Sequence, residues 1–537
     1  MSGNRATQKN FHGKEIVTSR ILAHLPQRQA ESARAAAPGP HSYMNQFLLG
    51  PAFAEHMAGW QRVVVAGELS LTAHPDLACT QASAGARELT LIGHMLDPLA
   101  PAASNADILR ALLDAFADRS ALIAATDRLG GRWLLIATDG RDRFLFHDAL
   151  GLRQAFYTDP ATTGNVWVMS QPGLAGEMLA LEPDEQAERF VDSPAVRRTP
   201  QYRWPASGAP FKGLKHLLPN HWLDLRSAQS WRYWPLQPLG KFTADAAIER
   251  LSVLLSGQIR AAAARFELAL GLTAGLDSRM VLAAARDVVD RISIITVRQG
   301  KMPDEHPDIQ VPARLLKRLG LTHQVIRANS TMTADFSQRF KRNVHLAHDH
   351  YGHDAEAILI HFSRTRAVIT GAGAEVVRCS FRAKLPHAAH VRFTPELLSW
   401  LEFGVIEPFA VARFAEWLDD AGAQDHVKLL DLLDWEQDYG NWLAMTQLEF
   451  DIAWREIFTP YNCRELFATL LGVPERYRRG PDSVLFREFI RRTWPELLSE
   501  PINPHIRSTP FGRSVRKLKA VVKHWLVSRE HAKGEGK

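Results

Sequence analysis

The chain has 537 residues and a mass of 60.1 kDa, beyond the roughly 250 to 300 residues at which single hydrophobic cores stop growing, so two major domains are expected. With 46% hydrophobic and 23% charged residues, the composition excludes a fibrous or disordered protein. The net charge of +6 is concentrated: residues 501–537 carry nine Lys and Arg against two Glu, a charge of +7, which leaves −1 for the rest.

Such a basic tail invites a nucleic-acid reading, but no stacking aromatics at module-like spacing accompany it. A solvated amphipathic C-terminal helix is preferred, and nucleic acid is not expected as a partner. The three cysteines, Cys79, Cys379 and Cys463, are far apart and form no CxxC, which supports neither a disulfide framework nor a zinc ribbon and fits a reducing cytoplasm. The N-terminus is polar without a signal-peptide core, and no run of about 18 apolar residues follows, so a cytoplasmic protein with no membrane contact is expected.

Residues 1–40 are polar, then Ala/Pro/Gly-rich, and read as a flexible extension. From Phe47 the chain is β-rich, with strands expected over 62–66 and 89–93 and a helix from Asn105 as cap through Phe116. Strands over 130–138 and 143–147 flank an Asp/Gly turn and predict a hairpin, followed by a turn and strand over 148–157. This first domain, 41–235, is expected to be a layered α+β unit. After Pro235 and Pro238, helices alternate with short apolar strands, the mark of a parallel sheet covered on both faces. A helix over 244–264 capped by Thr243 precedes a strand over 267–272. A helix over 278–286, a strand over 292–297, a helix over 311–319 and strands over 323–326 and 367–370 continue a doubly wound pattern for a second domain, 240–504. The remainder to about 500 is expected to be helical, with Trp400, Trp417, Trp435, Trp442 and Trp454 in the core, before the tail at 505–537.

Two glycine turns fall at the carboxyl ends of strands, where open parallel sheets bind ligands. The first is Leu272-Thr273-Ala274-Gly275-Leu276-Asp277-Ser278. Its small residues let backbone amides approach a phosphate, the helix that follows adds positive partial charge, and Thr273 and Ser278 add hydroxyls. Bare phosphate would repel Asp277, so its presence argues for a metal ion between them. The second turn is Gly371-Ala372-Gly373-Ala374-Glu375.

The first turn resembles the pyrophosphate loop of the asparagine synthetase family, Ser-Gly-Gly-Leu-Asp-Ser, with Thr273 and Ala274 replacing its first Ser and Gly. The second resembles that family's Gly-Glu-Gly-x-Asp-Glu. The run Gly131-Arg132-Trp133, with Asp139, Asp148, Gly151, Leu152 and Tyr157, is similar to the end of its glutaminase-like domain. The resemblance covers about residues 45–500. It implies an Ntn-hydrolase-like α+β sandwich followed by a doubly wound ATP-pyrophosphatase domain. It also implies ATP and Mg²⁺, with Asp277 and Glu375 as metal ligands. Thr273, Gly275 and Ser278 would hold pyrophosphate, with Leu272, Leu276, Gly371 and Gly373 around them, and backbone near Gly271 and Val297 would edge the adenine.

The implied activity is ATP-dependent, AMP-forming amide synthesis, in which a substrate carboxylate is activated as an acyl-adenylate and then captured by an amine. Ser2 stands where the family's glutaminase has cysteine, so glutamine hydrolysis is not expected. This is similar to β-lactam synthetases and lasso-peptide cyclases, which use an amine already in the substrate. A carboxylate-bearing peptide or small metabolite is the expected partner, with a homodimer or a biosynthetic-cluster protein as the macromolecular candidates. Ala372 replaces an acidic or tyrosine residue that assists amide formation, and 501–507 lacks the usual lysine, Lys517 and Lys519 lying further on. A catalytically degenerate nucleotide-binding paralogue with a regulatory role is therefore the alternative. His345, His348, His350 and His353, with Asp349 and Asp354, could offer Zn²⁺ ligands, but a polar segment lining the acceptor side of the cleft, or simple surface, is the preferred reading.

Overall fold

The computed structural model describes residues 42–379, 385, 391–422 and 426–504. The expected N-terminal extension with Ser2, and the basic tail with Lys517 and Lys519, lie outside the described residues.

Twelve strands build the first half: β1 (Phe47–Gly50), β2 (Gln61–Val65), β3 (Leu69–Ala73), β4 (Cys79–Ala84), β5 (Arg87–Leu96), β6 (Gly130–Thr138), β7 (Arg143–His147), β8 (Phe156–Thr158), β9 (Val168–Met169), β10 (Leu214–His216), β11 (His221–Asp224) and β12 (Ser230–Arg232). They form two six-stranded sheets, ordered β10-β8-β9-β1-β3-β2 and β12-β11-β7-β6-β5-β4, with antiparallel pairing throughout. Alternation along β6 shows how they stack. Leu134 and Ile136 meet Phe47, Leu49 and Leu71 of the other sheet, while Trp133, Leu135 and Ala137 pack outward on Leu109 and Leu112. Those two leucines lie on the helix Asn105–Ala115. Helix Pro172–Leu179 covers the opposite outer face through Leu174 and Ala175, packed with Leu48 and Met169. The order of layers is helix, sheet, sheet, helix.

The hairpin of β6 and β7 occurs where the sequence places it. The first helix is capped by Ser104 rather than Asn105: the Ser104 hydroxyl accepts from Asp107 N–H and the Asp107 carboxylate accepts from Ser104 N–H, two free donors satisfied reciprocally.

The second half contributes β13 (Leu268–Gly271), β14 (Ile292–Arg298), β15 (Gln324–Arg327), β16 (Ala367–Ile369) and β17 (Ile457–Phe458). They make one parallel sheet ordered β15-β14-β13-β16-β17. Both of its faces are covered, which is why its strands are apolar without alternation. Leu268, Leu270, Ile292 and Ile294 pack with helices Ala244–Ala263 and Leu276–Ala284. Ala269, Ile295 and Val368 pack with Phe336, Phe340 and Ile358 of helices Ala334–Asn343 and Asp349–Phe362. Thr243 caps helix Ala244–Ala263 as expected. The segment expected to be wholly helical contains β17, and Asp434–Leu443 is a ten-residue π-helix, an uncommon form that tends to occur at functional sites. Trp417, Trp435 and Trp454 are buried, and Trp400 and Trp442 pack at the core's edge.

The two halves meet through charge as well as apolar contact. Arg132 forks onto Asp451 at 2.7 and 2.9 Å, Arg153 reaches Glu456 at 2.6 Å, and all four groups are buried. Gly131 leads into this network at φ 97°, where a Cβ would sit 2.1 Å from the carbonyl of His94. Asp148 accepts from the N–H groups of Trp133, Leu152 and Arg153, so Gly131-Arg132-Trp133 and the turn from Asp148 to Leu152 serve this junction.

Candidate functional site

In the parallel sheet, β13 is followed by β14 and β15 on one side and by β16 and β17 on the other, so strand order reverses between β13 and β16. The crevice at the carboxyl ends of such strands is the natural ligand site of the architecture. Both glycine turns open into it. They touch: a Cβ on Gly371 would lie 2.7 Å from Ser278 N and 2.8 Å from the carbonyl carbon of Asp277. Glycine at 371 thus lets the turn after β16 rest on the first turn of the helix after β13.

That helix begins at Leu276, two residues earlier than expected, with Gly275 as its N-cap and no side chain capping it. Leu276, Asp277 and Ser278 are therefore its first three residues, whose N–H groups have no partner within the helix. The loop ahead of them is tightly knit. Thr273 N–H donates to Ser278 Oγ at 3.2 Å, Gly275 N–H to Thr273 Oγ1 at 3.1 Å, and Ala274 N–H to Asp308 Oδ1 at 2.9 Å. Leu272 continues the ladder to Ile295, and Val297 lies half-buried near the end of β14. Around Gly271 nothing stands within 4 Å of a would-be Cβ, so space is open at the end of the central strand.

Glu375 follows Gly373, whose φ is 100°, in the 3₁₀ turn Ala374–Val377. Its carboxylate accepts from Tyr439 Oη at 2.9 Å, a residue of the π-helix. Burial, then the charge of Glu375, pushes the Tyr439 hydroxyl well above its ordinary range, so it stays protonated as a donor. Burial first, then the charge of Glu375, push the Asp277 carboxyl up to about 7 against the pull of Arg378. Arg378 places Nη1 2.6 Å from both Asp277 oxygens. The loop of β17 joins the site where Thr459 Oγ1 donates to the carbonyl of Ala372.

The chain's last described segment also closes on the loop after β13. Buried Arg279 donates to the carbonyls of Leu497, Glu500 and Pro501, and Asn503 N–H to Ala274 O at 3.0 Å. The structure thus gathers Gly271 to Ser278, Val297, Gly371, Gly373 and Glu375 at one sheet edge. Tyr439, Arg378, Asn503 and Asp308 are the neighbours that sequence reasoning missed. Tyr439, Asp308 and Asn503 are distant in sequence and arrive through the fold, while Arg378 follows the second turn directly but matches no motif position.

The donor set fits a magnesium ion. Asp277 lies in the first turn of the helix after β13 and Glu375 in the 3₁₀ turn that follows Gly371, which rests on that helix, so two carboxylates come from adjoining turns. Mg²⁺ is commonly held by one or two carboxylates, with phosphate oxygens and water completing its shell.

The histidine segment is divided: Asp349 and His350 are exposed, His345 and His353 are half-buried, and His348 and Asp354 are buried. His348 is buried, with Nδ1 2.8 Å from Glu449 and Nε2 2.8 Å from the Tyr202 carbonyl, and His345 stacks on Trp204. Burial pulls His345 down to about 4. Among the described residues no helix is long and apolar enough to cross a membrane.

No protein-family model matches the chain, and no curated protein matches it. Among solved structures it is similar to the allosteric regulatory enzyme of purine biosynthesis. The identity is 9%, the coverage 56% of this chain and 78% of that one, and the TM-score 0.25. It is also similar to a glutamine phosphoribosylpyrophosphate amidotransferase from B. subtilis complexed with ADP and GMP. There the identity is 10%, the coverage 64% and 78%, and the TM-score 0.20. At those TM-scores the architecture rests on the sheets described above.

Proposed function

We propose that this chain is an ATP-dependent, AMP-forming amide-bond synthetase of asparagine synthetase type, acting on a carboxylate of a peptide or small metabolite without hydrolysing glutamine. The observation that carries the reading is the contact of the two glycine turns, Gly371 against Asp277 and Ser278, at the reversal of strand order. This contact joins two motifs about a hundred residues apart into one crevice.

In this reading the open space beside Gly271 takes the adenine, and Val297 borders it. The first-turn N–H groups of Leu276 to Ser278, with the hydroxyls of Thr273 and Ser278, receive the pyrophosphate. Asp277 and Glu375 would hold Mg²⁺, which neutralises charge on the departing pyrophosphate. Tyr439 keeps Glu375 oriented by donating to it, and Asp308 and Asn503 fix the loop's backbone from either side. The substrate carboxylate attacks the α-phosphorus, pyrophosphate leaves, and the amine then attacks the acyl carbon and displaces AMP. The helix-sheet-sheet-helix first half corresponds, in this reading, to a glutaminase-like domain.

A labelled-pyrophosphate exchange assay over a panel of carboxylic acids tests this. Exchange into ATP is expected with the right acid and should fall at least about a hundredfold in Asp277→Ala and Glu375→Ala. A folded wild-type protein that exchanges with no acid on a broad panel contradicts it.

One observation favours the second reading, a degenerate nucleotide-binding paralogue: Ala372 offers no proton-carrying group, and its carbonyl is taken by Thr459. That reading expects ATP binding with Mg²⁺ and no AMP under any substrate.

A further inference from the structure

Arg378 carries no motif signal, yet it is the cation paired with Asp277. It follows the 3₁₀ turn Ala374–Val377, with its N–H returning to the carbonyl of Glu375 at 2.8 Å. One nitrogen, Nη1, serves both oxygens of Asp277 at 2.6 Å. Its Nε is buried without a hydrogen-bond partner, and its side chain remains 18% exposed at the mouth of the site. An arginine has five N–H donors in a planar fork that matches phosphate as well as carboxylate. Here a single nitrogen meets one carboxylate and much of the fork is uncommitted.

A divalent ion on Asp277 and a guanidinium bonded to both of its oxygens cannot coexist without strong repulsion. We infer that Arg378 is an exchangeable second cation of the site: it neutralises Asp277 before nucleotide and Mg²⁺ arrive, then turns to the pyrophosphate oxygens once the ion takes the carboxylate. This rests on the ATP-site reading and adds a residue that couples metal occupancy to phosphate binding. Two consequences follow with opposite signs. Removing Arg378 should ease Mg²⁺ onto Asp277, because a competing cation is gone, and should weaken nucleotide binding, because a charge-assisted contact is lost.

The test uses the full chain and α,β-methylene-ATP, with binding measured by calorimetry across a series of Mg²⁺ concentrations for wild type, Arg378→Gln and Arg378→Lys. In Arg378→Gln, nucleotide affinity at saturating Mg²⁺ is expected to fall about tenfold, while the half-saturating Mg²⁺ concentration falls about threefold or more. Arg378→Lys retains the charge and should keep a Mg²⁺ requirement close to that of wild type, which decides the matter even if the glutamine variant fails to fold. Arg378→Gln matching wild type in both quantities, or Arg378→Lys losing the Mg²⁺ requirement, overturns the inference while leaving the ATP site intact. A folded wild type that binds no nucleotide at any Mg²⁺ concentration overturns the ATP-site reading itself.

Discussion

At the scale of single residues, two glycines one strand apart separate architecture from ligand space. A methyl group at Gly371 would meet the backbone of Asp277 and Ser278 at 2.7 to 2.8 Å, and backbone cannot swing aside. Gly371→Ala should therefore displace the second turn. Displacements near 1 Å in a positioned site cost up to about a hundredfold, and a loss of that order in pyrophosphate exchange is expected. Gly271→Ala meets nothing within 4 Å, so its melting temperature should match wild type. Its nucleotide affinity should nonetheless drop, because the methyl group enters the space assigned to adenine. A Gly271→Ala protein with unchanged affinity would remove adenine from that strand end.

At the scale of elements, the junction of the halves depends on a buried ionic cluster rather than on any one helix. Breaking a buried pair strands the partner charge, which costs about 3 to 5 kcal/mol. Arg132→Met, which leaves Asp451 and Glu456 without their shared cation, should lose stability of that order in urea denaturation. A loss below about 1 kcal/mol would mean that water or Arg153 compensates. Elements with strong local signals were legible in the sequence. The hairpin of β6 and β7 sits between an Asp/Gly turn, and helix Ala244–Ala263 follows its Thr243 cap. Elements defined by partners were not. The two residues of β17 are a strand only because β16 lies beside them, and the π-helix at Asp434–Leu443 has no periodicity that distinguishes it from an α-helix. The same limit applied at the site: the Gly/Asp turns could be read, but Tyr439 on Glu375 and the pairing of Arg378 with Asp277 come only through the fold.

At the scale of the whole molecule, buried neutral histidines set a pH dependence. Burial, then its neighbour His147, pulls His216 down to about 3, and burial lowers His147 as well. A depressed folded-state value means the unfolded chain binds the proton more readily. The stability from His216 is thus complete above the unfolded value near 6.5 and is lost as pH falls toward about 3. Replacing His216 by Gln should flatten the acid limb of a stability profile by about 1.4 kcal/mol per pH unit, the weight of one proton. An unchanged slope would show that His216 titrates normally. The central claim, that the crevice at the carboxyl edge of the parallel sheet is a Mg²⁺-nucleotide site, is tested most directly by amide hydrogen exchange with and without α,β-methylene-ATP and Mg²⁺. Slower exchange is predicted for residues 272–278 and 371–378, with β6 and β7 unaffected. Unchanged exchange in both turns under saturating nucleotide, or protection confined to another part of the chain, would contradict it.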